Sequence, residues 1–372
     1  MRRFALGLVS LLLLTGCGVA GPSDPVPISE EPTARSDAPA GASWRPSGTP
    51  TPLATTLESP WSVVPMGAGG ALISERGTAR VRELTSEGAV REVGVVPGVV
   101  PGGEAGLHGM AVLEDAGATW VYAYHGAADD NRVVRMPLVG DPGGLSLGPA
   151  EAIVTGIPRA RNHDGGRIAF GPDGMLYIGT GDAGVPDRSQ DPRSLGGKIL
   201  RVTPGGEPAS GNPFDNAVYS LGHRNVQGLA FTSEGQLWAS EFGQNRWDEL
   251  NRIEAGGNYG WPVVEGVAER DGFIDPVIQW QPSEASPSGI AAVGDTVFVA
   301  ALRGERLWAV DVANAGGESS AAFLVGEHGR LRDVVAVGES LWLLTNNTDG
   351  RGDPRPEDDL LLQVDVTTQP RR

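Results

Sequence analysis

The chain has 372 residues, of which 40% are hydrophobic and 20% charged, and 46 Asp+Glu against 29 Lys+Arg give a formal net charge of −17. This is a globular composition that excludes wholesale disorder, and Gly 55 with Pro 29 but no Gly-X-Y period excludes collagen and points to many turns between short strands. No basic stripe offsets phosphate charge, so nucleic acid is excluded as a partner, whereas a small anion would need only a local arginine cluster.

Met1-Arg2-Arg3 and the apolar run Phe4 to Leu14 read as a secretory leader, too short to be a resident membrane helix. The run ends in Leu14-Thr15-Gly16-Cys17, small residues before a cysteine as in a bacterial lipobox. Residues 1–16 are therefore expected to be a lipoprotein signal peptide and Cys17 to carry the lipid; the alternative is an ordinary secretory leader with an incidental cysteine. Cys17 is the only cysteine, so no intrachain disulfide is available. Residues 17–55 are rich in Pro, Ser, Ala and Thr without apolar periodicity and are expected to be a flexible tether. The folded domain, residues 56–368, is then extracytoplasmic and touches the cell membrane only through the N-terminal lipid.

That domain repeats. Six segments, starting at Trp61, Gly109, Arg167, Gly228, Gly289 and Asp333, each show an apolar strand, a turn carrying Gly and a second apolar strand. Alternation around such a turn is the signal of a β-hairpin, and a third strand often follows, as at Lys198 and Arg306. The starts lie 44 to 61 residues apart, and no helical period appears, so helical solenoids are excluded. The expected fold is all-β, a six-bladed β-propeller, whose closure removes free sheet edges; two stacked β-domains are the alternative.

In a propeller, functional residues belong in the loops between blades, which converge on the axis. Glu104 lies in the first polar segment, Gly103-Glu104-Ala105-Gly106. Arg161-Asn162-His163-Asp164-Gly165-Gly166 precedes the third repeat and offers His163 as a general base, or as a histidine that merely satisfies a buried carbonyl. Gly181-Asp182 follows the third hairpin, and Ser220-Leu221-Gly222-His223-Arg224-Asn225 precedes the fourth repeat; Arg224 there presents a planar fork for a carboxylate or pairs with a loop acid. The segment from Glu241 to Pro262 is rich in Gly, Asn and carboxylates that suit a hard cation such as calcium, but without EF-hand spacing. Arg224, Arg303, Arg330 and Arg332 together would form a positive well for a small polyanion, or else are solvated surface arginines. The acidic stretch from Asp349 to Asp359 reads as a calcium loop or a solvated one.

The motifs NHDGGRIAFGPDGMLYIGTGDAG (162–184), SLGGKILRV (194–202), YSLGHRNVQGLAF (219–231), DELNRIEAGGNYGWP (248–262), ALRGERLW (301–308) and GRLRDV (329–334), in that order, resemble the soluble pyrroloquinoline quinone (PQQ)-dependent sugar dehydrogenases, in particular the aldose sugar dehydrogenase or glucose/sorbosone dehydrogenase branch. The resemblance spans residues 60–365. It implies a six-bladed propeller that oxidises aldose sugars at C1 to lactones, with hydride transfer to PQQ and electrons passed to a separate acceptor. By the same resemblance His163 is the general base, with Arg224 and Asn225 at the quinone carbonyls. Arg303, Arg330 and Arg332 hold the PQQ carboxylates, Asp182 and Asn162 line the sugar and base region, and Glu104 stands near the substrate. Ca2+ is held by the backbone carbonyls of Gly243 and Gln244. Four positions depart from the family pattern: Gln244 stands for Pro, Glu104 for Gln, Arg303 for Lys and His108 for Leu, which bears on substrate preference more than on chemistry. A non-catalytic cell-surface propeller that binds a partner is the competing class.

Overall fold

The computed structural model describes Met1 and residues 42–314 and 319–370. Cys17, the signal peptide and residues 17–41 of the expected tether lie outside the described residues. Among the described residues there is no α-helix, only strands and three short 3-10 turns, and the strands assemble into a six-bladed β-propeller. Each of the six repeats supplies the two innermost strands of one blade. In blade 1 these are Pro60–Met66 and Gly70–Glu75, followed by Arg80–Leu84 and Val90–Val95. Blades 2 to 5 follow the same antiparallel order, beginning at Leu107, Ile168, Val226 and Pro287.

Blade 6 is composite. Leu331–Val337, Ser340–Thr345 and Leu361–Pro370 come from the C-terminal end, but the outermost strand is Ala42–Ala54, paired antiparallel from Ala42 opposite Pro370 to Ala54 opposite Leu361. The expectation of a tether over 17–55 and a domain over 56–368 is thus corrected: residues 42–54 are strand, and the blade runs to Pro370. The prolines that made the segment look disordered, Pro46, Pro50 and Pro52, are tolerated because an outermost strand has one side without ladder partners.

Successive strand residues point to opposite faces and many are apolar in pairs, such as Leu72 and Ile73, so both faces of a blade are buried and the core is distributed. Among the described residues six buried clusters occur, and each joins one pair of neighbouring blades. The cluster of Ala54, Val63, Ile73, Trp342 and Leu361 joins blade 6 to blade 1 and closes the ring.

At the axis the innermost strands crowd together. A Cβ on Gly289 would lie 1.8 Å from Asp333 Oδ1, so only glycine fits there. The axis is also crossed by a buried ion pair: Arg167 Nη1 of blade 3 donates to Asp333 Oδ2 of blade 6 at 2.8 Å, and Val63 N of blade 1 donates to the same oxygen at 3.0 Å. Arg167 stacks over Trp61 at 4.4 Å, completing a polar strut beneath the mouth of the ring.

Candidate active site

A cavity of about 380 Å³ opens on the axis and is lined from every blade. Blade 1 contributes Trp61 and Arg76, blade 2 Glu104 and His108, and blade 3 Gly165; Gln227 and Phe242 come from blade 4, Ser286, Leu302 and Arg303 from blade 5, and Arg330, Arg332 and Arg351 from blade 6. Five arginines against one lining carboxylate make a positive well in an acidic chain.

The arginines are held and only in part neutralised. Arg332 is 3% exposed and donates to Gln227 Oε1 at 2.8 Å, Ser288 Oγ at 3.3 Å and Asn346 Oδ1 at 3.3 Å, all uncharged acceptors. Its nearest carboxylate oxygen is Asp349 Oδ2 at 3.9 Å. Burial, then the neighbouring Arg76, pushes its pKa down to about 9. Arg330 pairs with Asp349 at 3.3 Å, and the buried Nε atoms of Arg330 and Arg332 have no partner. Desolvation also lowers the pKa of Arg76. Arg303 is exposed at the rim. A cavity lined by five guanidinium groups fits a flat tricarboxylate such as PQQ, whose carboxylates would accept charge-assisted hydrogen bonds from them.

His163 stands beside this cavity. Its backbone is left-handed at φ 62, a conformation costing about 1 kcal/mol for a residue with a side chain, and two bonds hold it there. Its N–H donates to Glu104 Oε2 at 2.8 Å, and its Nδ1 to Asp182 Oδ1 at 2.7 Å. The ring is 15% exposed, with Nδ1 fixed as donor, so Nε2 is left as the acceptor. Gly165, two residues on, has φ 64, and a Cβ there would meet Gly179 O at 2.6 Å, so the chain turns sharply into the third blade.

Asp182 is fully buried, and both its oxygens are committed: Oδ1 to His163 and to Gly184 N at 2.8 Å, Oδ2 to Trp261 Nε1 at 2.9 Å. Desolvation opposes its charge, but the hydrogen bonds from His163, Trp261 and Gly184 outweigh that and hold its carboxyl below the usual range. Of the sugar and base region expected for Asp182, the structure places it on the base side: it is fully buried behind the imidazole that it orients and is not among the cavity-lining side chains. Glu104 does line the cavity; its carboxylate bridges His163 N and Arg351, whose Nη1 is 3.5 Å away. Asn162 is exposed next to His163.

Arg224 and Asn225 pack against the same loop. Asp182 N donates to Arg224 O, and Asn225 Oδ1 accepts from Gly165 N at 2.9 Å while its buried Nδ2 has no partner. Arg224 is not among the cavity-lining side chains: its Nη1 donates to Phe242 O at 3.1 Å and Gly243 O at 2.5 Å. This bears on the expected metal. The Gly243 carbonyl already carries a guanidinium, which repels a cation. Glu265 Oε1 is taken by the four N–H groups of Gln244, Asn245, Arg246 and Trp247, and no group of three or more His, Cys, Asp or Glu converges among the described residues. As arranged, Gly243 and Gln244 do not fit calcium, and no step is derived through one. Nor does the Asp349–Asp359 stretch form a calcium loop, since Asp359 spends its oxygens on Thr345, Asn347 and Thr348 and Asp349 faces Arg330.

Ser220, His223 and Glu241 make a second histidine relay, with 2.8 Å on each side of the ring. All three are buried and both ring nitrogens of His223 are spent within the relay, so it is structural despite its likeness to a hydrolytic triad. Lys198, the only lysine, is likewise structural: its buried Nζ donates to the carbonyls of Arg188, Ser189 and Gly196 and ties down the loop that follows Asp182.

Sequence reasoning missed Arg76, Arg351, Trp61 and Trp261. Arg76-Gly77 follows the first hairpin as Arg303-Gly304 follows the fifth, so the repeat-equivalent position was the available signal.

Comparison with known proteins identifies the family and the fold. The family profile described as Glucose / Sorbosone dehydrogenase matches residues 57–361. The PQQ-bound form of an aldose sugar dehydrogenase from Streptomyces coelicolor is 51% identical with a TM-score of 0.84, covering 88% of this chain and 99% of that one. Aldose sugar dehydrogenase YliI of Escherichia coli is 27% identical over 337 residues, 80% of this chain and 90% of that protein. Quinoprotein glucose dehydrogenase B of Acinetobacter calcoaceticus is 32% identical over 236 residues, and the match spans about half of its length, 49%.

Proposed function

Because the chain belongs to the glucose/sorbosone dehydrogenase family, we propose that it oxidises aldose sugars at C1 to lactones, using PQQ held in the axial cavity and passing the electrons to a separate acceptor. The observation that carries this reading is a histidine backed by a buried carboxylate and tied through Glu104 to the wall of an axial cavity lined by arginines. A binding module would need neither, which disfavours the non-catalytic alternative.

When bound, PQQ supplies the two-electron oxidant. Arg330, Arg332 and Arg303 would hold its carboxylates. His163 Nε2 takes the proton of the C1 hydroxyl, while Asp182 fixes the tautomer and stabilises the imidazolium that forms. Glu104 fixes the loop that carries His163 and presents a carboxylate edge to the cavity, where sugar hydroxyls can donate. Arg224 and Asn225 lie beside the base but off the cavity lining, so the contact with the quinone oxygens that the resemblance implies would need Arg224 to turn from the Phe242 and Gly243 carbonyls.

The test is reconstitution. Purified protein is given PQQ, and dye reduction with glucose and other aldoses is followed. We expect turnover that His163→Ala abolishes while PQQ binding persists; no turnover with any aldose and no PQQ binding would overturn the reading. For location, we propose an extracytoplasmic domain anchored through a lipid on Cys17. Cys17→Ser should release the protein from the membrane fraction, and unchanged membrane retention would refute the anchor.

A further inference from the structure

We propose that Trp261 is a positioning residue serving both halves of this centre: one indole fixes the carboxylate behind the base and the guanidinium beside it. The inference rests on the reading of His163 as base. The indole Nε1 donates to Asp182 Oδ2 at 2.9 Å, on the oxygen that His163 does not use. The carboxylate plane is thereby set from both sides, and with it the plane of the imidazole. The face of the same ring lies under Arg224, whose guanidinium carbon is 5.4 Å from the ring centroid. Arg224 Nε is buried without a hydrogen-bond partner, so the indole face and the carbonyls of Phe242 and Gly243 are what hold this side chain.

Trp261 is itself anchored independently of the base. Its N–H donates to Gly222 O at 2.9 Å, and its carbonyl accepts from Gln190 Nε2 at 2.7 Å. Gln190 is locked in turn by reciprocal amide bonds with Asn258 at 3.0 and 2.8 Å. Trp261 is 7% exposed, so its ring meets Asp182 and Arg224 from a fixed frame.

An N–H donated to a carboxylate weakens that carboxylate as an acceptor for anyone else. Removing it should strengthen the pull of Asp182 on the Nδ1 proton of His163 and stabilise the imidazolium. The other charged groups near this pair are Glu104 on the His163 N–H, Asp164 next in the chain, Arg224, and Arg188, which donates to Asp182 O at 3.4 Å; a substitution at 261 leaves their identities unchanged.

The test compares Trp261→Phe, which keeps a ring under Arg224 but loses the N–H, with Trp261→Leu, which loses both. In the ligand-free Trp261→Phe protein, the NMR titration midpoint of the His163 ring should move up relative to the parent by about half a pH unit. In the PQQ-loaded enzyme the acid limb of the kcat/KM profile should move the same way, with PQQ affinity within about 3-fold of the parent, since the ring face is retained. Trp261→Leu should in addition weaken PQQ binding. In an Asp182→Asn background, Trp261→Phe should add no further shift. A parental midpoint in Trp261→Phe, or activity lost equally at every pH, overturns the proposal. If the parent oxidises no aldose, the functional reading fails, while the ligand-free titration still decides whether the indole acts on His163.

Discussion

Replacing Arg167 by methionine should destabilise the fold by about 3–5 kcal/mol, the range for breaking a buried ion pair from one side. The pair is deeply buried, with side-chain exposures of 8% for Arg167 and 2% for Asp333, and its members are 166 residues apart, so it joins blade 3 to blade 6 directly across the axis. Without the guanidinium, Asp333 keeps only the backbone N–H groups of Val63 at 3.0 Å and Val334 at 3.1 Å. Burial already raises the Asp333 pKa, with Arg167 the largest opposing influence; the variant should raise it further. A carboxyl whose folded-state pKa lies above the unfolded one contributes most below the unfolded value and loses that contribution as pH rises through the folded value. The cost of Arg167→Met should therefore be smaller at pH 5 than at pH 7. Guanidinium unfolding at both values measures it, as a lower midpoint at unchanged slope. Adding Asp333→Asn should cost less than the sum of the single changes, because the stranded charge is gone. A loss below about 1 kcal/mol at pH 7, the scale of an exposed pair, or the same loss at pH 5, would refute the assignment of this pair as the axial strut.

Other consequences follow from the same structure. Asp182→Asn leaves the cavity cations in place but removes the acceptor that fixes His163, so PQQ should still bind while kcat falls about 100- to 10,000-fold, the share of general-base catalysis; turnover within 3-fold of the parent would remove Asp182 from its role. Glu241 and Glu249 face each other on adjacent strands, and burial raises both pKa values to about 8, so the folded chain keeps protons that the unfolded chain releases above about 4.5. Glu249→Gln should thus gain stability relative to the parent as pH rises from 5 to 8, and a difference that stays flat across that range in denaturant titrations would contradict it. Trp44→Ala removes a half-buried indole packed on the blade 5–6 cluster and should cost about 1–2 kcal/mol in thermal unfolding; no change would mean that the Ala42–Ala54 strand does not secure the ring. Calcium alone should leave the melting temperature of the ligand-free protein unchanged, because Arg224 holds the Gly243 carbonyl; a rise at millimolar Ca2+ would show that the guanidinium gives way.

The repeats made the fold legible because each hairpin alternates apolar and polar residues around a glycine turn, and that pattern is local. The closing strand was not legible: Trp44-Arg45-Pro46-Ser47-Gly48 has no alternation, and its partner lies more than 300 residues away. Its strand character is imposed by the free edge of Leu361–Pro370. The site divides in the same way. His163 and the arginines announced themselves by residue type. What Asp182 does was not readable, because a carboxylate that contacts substrate and one that orients a base look alike until both oxygens are accounted for. Trp261 likewise reads as one more apolar residue in a Gly-rich loop, and only its contacts with Asp182 and Arg224 separate it from core.

Arg332 and Arg167 are both buried, and both stack on Trp61, at 5.6 and 4.4 Å, yet they should respond to methionine with different results. Arg167 has a carboxylate at 2.8 Å; the closest to Arg332 is 3.9 Å away, with Arg76, Arg330 and Arg167 pressing on it from the same sign. Its charge is desolvated with only the distant Asp349, which it shares with Arg330, so the ligand-free fold carries it at a cost that a tricarboxylate would relieve. Arg332→Met should leave the ligand-free unfolding midpoint unchanged or raised, while PQQ affinity drops about 10- to 150-fold, the worth of a charge-assisted hydrogen bond of roughly 1.5–3 kcal/mol. That is the expected pattern where a group is kept for its ligand at the expense of stability. A fall in ligand-free stability as large as that of Arg167→Met would show instead that the Arg332 guanidinium is part of the scaffold, held by Gln227, Ser288 and Asn346 for the fold's own sake.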